Sequence, residues 1–190
     1  MTEAAVSRVT SKWAVAANTL TLSRIAFAPI VAFMVLQKNP WWLTFWLGWV
    51  LGATDKLDGS LARQAEPTRT GAFLDTLADK VIVLFIGYAL VIVGSFSWIP
   101  MTIIAVREIG MMGYRSYWSK YGLAMPARKS GKYKTFAQGI ALSAGLFPPL
   151  ENYPKVDDGL LWFAVVLTLF SAAQYIIDGR SALSSTGERS

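Results

Sequence analysis

The stretch that decides how this chain is built is DKLDGSLARQAEPTRTGAFLDTLAD, residues 55–79. It lies between two apolar runs, WWLTFWLGWVLGAT (residues 41–54) and KVIVLFIGYALVIVG (residues 80–94). Asp55, Asp58, Asp75 and Asp79 therefore stand next to hydrocarbon-like sequence. An ionised carboxylate at the centre of a membrane helix costs about 2.5–3.5 kcal/mol on insertion scales, so intramembrane acids read by default as functional.

The composition around this stretch is that of an integral membrane protein. Of 190 residues, 54% are hydrophobic, 16% are charged and eight are Trp, and the mean hydropathy is +0.40. A soluble domain has about 45–50% apolar and about 25% charged residues. The first twenty residues, MTEAAVSRVTSKWAVAANTL, lack a compact apolar run ahead of a small-residue cleavage site, so no cleavable signal peptide is expected. The chain has neither cysteine nor histidine. That excludes disulfides, thiolate nucleophiles, Cys-ligated metals and an imidazole base. Acid–base or metal chemistry must come from carboxylates, lysine, tyrosine or water.

Six hydrophobic segments are expected, at 20–36, 39–54, 72–94, 97–113, 136–150 and 159–177. Several fall short of the ~20 residues that cross a bilayer. The second reaches that length if its helix continues through Asp55 to about Ala62, and the third carries Asp75 and Asp79 in its first two turns. With six spans, only Lys38 and Lys155 of the 18 Lys and Arg fall on the side opposite the termini. This asymmetry predicts cytoplasmic termini and cytoplasmic carboxylates. The expected fold is all-α: six transmembrane helices preceded by an interfacial amphipathic helix. Residues 1–17 form that helix, with Val6, Val9, Trp13 and Ala16 on one face. Residues 18–180 form the six-helix domain and 181–190 a flexible tail. No internal repeat or second domain is evident.

Asp55 and Asp58 are three residues apart, and Asp75 and Asp79 four, spacings that put each pair on one helix face. Two antiparallel helices joined by a short loop could aim all four acids at one point, where their repulsion calls for a cation. Hard oxygen ligands suit Mg²⁺ or Mn²⁺, and two such ions can clamp a diphosphate for in-line displacement. The plainer alternative is a set of solvated cap acids paired with Lys56, Arg63 and Lys80. Gly59 and Gly71 leave room for close approach of backbone or nucleotide, and Arg63 lies within reach of a phosphate.

The pattern Asp55-x-x-Asp58-Gly59-x-x-Ala62-Arg63, followed by Gly71-x-x-x-Asp75-x-x-x-Asp79, resembles the complete signature of the CDP-alcohol phosphotransferase family. The resemblance implies a membrane enzyme, a homodimer with a cytoplasm-facing polar cavity. There an alcohol attacks the β-phosphorus of a CDP-linked substrate and releases CMP. It implies that Asp55, Asp58, Asp75 and Asp79 hold two Mg²⁺ or Mn²⁺ ions and that Asp79 is the general base. It places Gly59, Arg63, Thr68 and Gly71 near the CDP moiety. The motif Asn18-x-x-Thr21-x-x-Arg24 resembles the family's first-span signature and adds Asn18 and Thr21 to the nucleotide contacts. Here Ala17 stands where many members carry proline.

The acceptor is addressed by REIGMMGYRSYWSKYGLAMPARKSGKYKTFAQ, residues 107–138. A connection this basic can bind anionic lipid headgroups. Its RE pair and the pattern Gly131-Lys132-x-Lys134-Thr135 resemble the branch of the family whose acceptor is sn-glycerol 3-phosphate. On that reading the phosphatidyl group of CDP-diacylglycerol passes to sn-glycerol 3-phosphate, and Arg107, Arg115, Lys132 and Lys134 bind the acceptor phosphate. Inositol phosphate would need the same cations, so charge alone does not choose. Serine or phosphatidylglycerol as acceptor, and a divalent-cation transporter built on the acidic cluster, remain as alternatives.

Overall fold

A computed structural model describes residues 3–38, 41–62, 69–120, 129–150 and 153–187. Among these residues the protein is all-helical, with no strand. Six helices follow one another: α1 (Glu3–Leu36), α2 (Trp41–Ala62), α3 (Arg69–Ile92), α4 (Trp98–Lys120), α5 (Lys129–Leu146) and α6 (Pro154–Gly187). A single 3₁₀ turn, Pro148–Leu150, separates α5 from α6.

The helix ends follow local chemistry. α1 stops where Lys38 takes a left-handed φ of 48° just before Asn39-Pro40. α3 stops ahead of Gly94, whose φ of 90° suits a residue without Cβ. The chain turns there, and the Ser95 and Phe96 amides both donate to the Leu90 carbonyl. Pro148 and Pro149 cannot donate to a continuing helix, and α5 ends two residues earlier. Pro100 and Pro154 sit in the first turns of α4 and α6, where a missing amide is harmless.

Three boundaries differ from the sequence expectation. Residues 3–17 continue without a break into α1, so the segment expected to lie on the interface belongs to the same helix as the first apolar run. α3 begins at Arg69, upstream of its apolar pattern, which places Asp75 in the second turn and Asp79 in the third. α6 runs to Gly187, well into the stretch read as a tail. The last two share one cause: apolarity marks where a helix packs, whereas backbone hydrogen bonding carries the helix into polar sequence. α2 does extend through Asp55 and Asp58 to Ala62.

α1 packs against α2 and α3, α5 against α6, and α4 against α3 and α6, with α2 and α3 also touching α5. α3 and α4 run antiparallel, pairing Lys80 with Glu108 near one end and Tyr88 with Thr102 nearer the other. Val31, Val35, Ile86, Leu90, Met101, Ile104, Leu146 and Leu161 form the centre of the core. Small residues (Ala28, Ala78, Ala141 and Ala164) are fully buried between helices, allowing close approach of the backbones.

Polarity is partly inverted relative to a water-soluble bundle. Phe27, Phe33, Trp46, Phe85, Val106, Phe136, Phe163 and Phe170 are all exposed, while Arg24, Glu108, Lys134, Gln138, Thr168 and Ser171 are buried. Exposed apolar surface of this extent marks a non-aqueous neighbour. Six transmembrane spans were expected. By length and composition one helical segment of the described residues, Lys155–Asp178, is long and apolar enough to cross a membrane. Thr21–Leu36 and Trp42–Ala53 are shorter apolar helices.

Gly145 packs where a Cβ would stand 2.8 Å from Phe96 and 2.9 Å from Leu90, both buried and unable to yield. Gly145→Val is expected to destabilise the protein by about 1–3 kcal/mol. Gly139→Ala, where nothing lies within 4 Å of the added carbon, serves as the control and is expected to leave the thermal melting midpoint unchanged or slightly raised.

Candidate active site

The site is built around a cavity of about 1480 Å³ lined by residues of α2 to α6. Its two regions differ in chemistry. Phe45, Trp49, Ile86, Leu142, Leu146 and Phe147 give one an apolar lining, and Asp79, Lys80, Arg107, Glu108, Arg115, Lys132 and Lys134 give the other a charged one. The antiparallel course of the helices explains the division. The third turn of α3, the middle of α4 and the second turn of α5 lie at one level, and α2 and the end of α5 supply the apolar wall.

Glu108 organises the charged region. It is 2% exposed, and its carboxylate accepts from cations on three helices. Lys134 Nζ lies 2.6 Å and Arg107 Nη1 2.8 Å from Oε1, and Lys80 Nζ donates to Oε2. Gln138 Nε2 lies 3.4 Å from Oε1 and 3.1 Å from Thr168 Oγ1, and Arg107 Nη2 lies 3.3 Å from Ser171 Oγ, which ties α6 into the network. Burying a carboxylate is tolerable only when it is paired and hydrogen-bonded. Here three cations meet one acid, and Arg107 Nε is buried without a hydrogen-bond partner among the described residues. The region is therefore suited to an anion.

Asp79 is the acid of the four whose side chain is described. It is 40% exposed and lies 3.9 Å through Oδ1 from Nη1 of Arg24, which is 1% exposed. Arg24 thus reaches from α1 to the acidic end of α3. α2 carries Asp55, Asp58 and Gly59 in its last turns, and α3 carries Gly71 in its first turn and Asp75 in its second. The side chains of Asn18, Asp55, Asp58 and Asp75, and all of Arg63 and Thr68, lie outside the described residues. Thr21 is buried in α1. Among the described residues no three metal-ligating side chains come together. The donors are nevertheless hard oxygens: the Asp79 carboxylate lines the cavity, and Asp55, Asp58 and Asp75 stand in the last turns of α2 and the second turn of α3. That donor set fits Mg²⁺ or Mn²⁺.

Arg107, Arg115, Lys132 and Lys134, singled out from the sequence, share the cavity with Asp79. They differ in environment. Lys134 is buried in the Glu108 network, Lys132 is exposed, and Arg115 lies with Cζ 4.8 Å from the Tyr175 ring centroid. Lys80, Glu108 and Gln138 were missed as site residues. Their signal was present: each is a polar residue within or beside an otherwise apolar helix, and Lys134 and Gln138 are spaced by four. Sequence alone offered Lys80 only as a partner for the aspartates, whereas it bonds Glu108.

The sequence profile of the CDP-alcohol phosphatidyltransferase family matches residues 14–170. A protein of Haemophilus influenzae named CDP-diacylglycerol–glycerol-3-phosphate 3-phosphatidyltransferase is 35% identical over 175 residues, covering 86% of this chain and 92% of that protein. Proteins of the same name from Bacillus subtilis and Escherichia coli K12 are each 34% identical. They cover 89% and 86% of this chain and 97% and 94% of their own lengths, respectively.

The network makes a prediction about stability. Lys134→Met deprives buried Glu108 of one of its closest cations and is expected to cost roughly 3 kcal/mol. Adding Glu108→Gln removes the acid that still holds Lys80 and Arg107 and is expected to deepen that loss. A double-mutant cycle read by thermal denaturation measures the coupling.

Proposed function

The chain belongs to the CDP-alcohol phosphatidyltransferase family, and on that premise we propose that it transfers the phosphatidyl group of CDP-diacylglycerol to sn-glycerol 3-phosphate, giving phosphatidylglycerophosphate and CMP. The observation that carries this reading is that one cavity joins Asp79 and a surplus of cations with an apolar lining. A substrate that is half lipid and an acceptor that is a phosphate monoester need those two environments in one chamber.

Lys134, Arg107 and Lys80 hold the acceptor phosphate through charge-assisted hydrogen bonds. Asp79 takes the proton of the acceptor hydroxyl as its oxygen bonds to the β-phosphorus. The bond from that phosphorus to the CMP oxygen breaks, and CMP leaves with the electron pair. Arg24 keeps the Asp79 carboxylate oriented from α1. Two Mg²⁺ or Mn²⁺ ions, held by Asp55, Asp58, Asp75 and Asp79, would supply charge neutralisation at the diphosphate. Asn18, Thr21, Gly59, Arg63, Thr68 and Gly71 border the CDP moiety in the same reading.

The protein spans the cytoplasmic membrane six times, with both termini and the charged end of the cavity cytoplasmic, and acts as a homodimer. Helix length supports the spans: even α5, with 18 residues, reaches ~27 Å at 1.5 Å per residue, close to the ~30 Å hydrocarbon core. The exposed apolar side chains and the one-sided distribution of Lys and Arg support the same topology.

The test is CMP release by the purified protein with CDP-diacylglycerol and Mg²⁺ or Mn²⁺, offering sn-glycerol 3-phosphate, inositol phosphate, serine and phosphatidylglycerol separately. Release is expected with sn-glycerol 3-phosphate and is expected to stop with EDTA. Asp79→Asn should lower kcat by about 10²–10⁴-fold. Release with another acceptor alone would overturn the acceptor assignment, and no release from folded, metal-supplied protein would overturn the reaction.

A further inference from the structure

We propose that Glu108 is a positioning residue for the acceptor: its buried carboxylate gathers Lys80, Arg107 and Lys134 into a pocket fitted to a phosphate monoester. The inference rests on the reading of the reaction above and extends it to a residue that touches neither substrate. Glu108 borders the cavity but is only 2% exposed, and its oxygens are occupied by these three cations and Gln138. It acts by fixing where their charged ends stand.

The geometry supports that role in two ways. Three cations against one carboxylate leave two positive charges uncompensated within the network, which matches the charge of about −1.5 to −2 on a phosphate monoester at neutral pH. Donor capacity also remains. Each lysine ammonium has three N–H groups. Lys80 and Lys134 each spend one on Glu108, and Arg107 keeps its buried Nε–H without a partner among the described residues. The three donors come from α3, α4 and α5, so no local sequence feature holds them together; the carboxylate does. Without it, like charges buried side by side repel and the flexible lysines turn away towards the open cavity. A neutral glutamine adds N–H donors of its own facing the cations and restores nothing.

The experiment uses the full-length protein in lipid nanodiscs. It combines steady-state CMP release with calorimetric binding of sn-glycerol 3-phosphate alone. Glu108→Gln is expected to raise the KM and Kd for sn-glycerol 3-phosphate by at least about tenfold, with the KM for CDP-diacylglycerol held within about twofold. Glu108→Asp keeps the charge on a shorter arm and is expected to lie between wild type and glutamine for the acceptor alone. Were the glutamine variant unable to fold, the same acceptor-selective rise in the aspartate variant would carry the test. The inference is overturned if Glu108→Gln binds sn-glycerol 3-phosphate as tightly as wild type or tighter. It is also overturned if either variant lowers kcat or raises both KM values equally, as a purely structural role would, or if aspartate is no better than glutamine. Wild-type protein that binds sn-glycerol 3-phosphate, loses that binding with Glu108→Gln, yet releases no CMP would sink the proposed reaction and leave the role of Glu108 standing. Wild-type protein that fails to bind it and turns over a neutral acceptor would sink both.

Discussion

A carboxylate withdrawn from water must find cations, and Glu108 finds them on three helices at once. That requirement sets the register of the bundle around the cavity. Sliding α3 or α5 past α4 by one turn, about 5.4 Å, would take Lys80 or Lys134 out of reach and leave a buried charge uncompensated. Gln138 and Arg107 extend the constraint to Thr168 and Ser171, so α6 is held by the same network. The apolar contacts among Ile86, Leu90, Met101, Ile104, Leu146 and Leu161 supply cohesion, but they are non-directional and would tolerate small shifts. The polar network is what makes one register better than its neighbours.

The same network shapes the chemistry of the cavity. Placing the cations at the level of Asp79 puts an anion-binding region beside an acid already contacted by Arg24 from α1. The apolar wall then begins within the same chamber, on α2 and the far half of α5. A lipid-linked diphosphate and a small phosphorylated alcohol can meet there because polarity changes along the helix axes while much of the outer surface is apolar. Exterior and interior thus follow opposite rules: Phe, Trp and Ile face outwards, and the strongest charges lie inside.

Much of this was legible in residues 55–79. The spacing of Asp55, Asp58, Asp75 and Asp79 carried the family, because the residue types and intervals are tightly specified there and the neighbouring apolar runs require helices. All six helices were visible as apolar segments. Their ends were less legible: residues 69–71 and 181–187 are helical in polar sequence, where hydrophobic pattern is silent, and residues 3–17, read as a separate amphipathic helix, are continuous with the first apolar run. Arg107, Arg115, Lys132 and Lys134 stood out as cations in a basic connection, but nothing in their order distinguished buried Lys134 from exposed Lys132.

Sequence by itself determined the class of fold, the family and the spacing of the four aspartates along α2 and α3, since these depend on composition and on intervals within single helices. Tertiary structure alone decided that Lys80 belongs with Glu108 and not with the adjacent aspartate, that Arg24 lies against Asp79, and that Gln138 bridges α4 to α6. Partners far apart in the chain meet only when helices pack at one register and one rotation, and the cost of a buried, unpaired charge selects that arrangement.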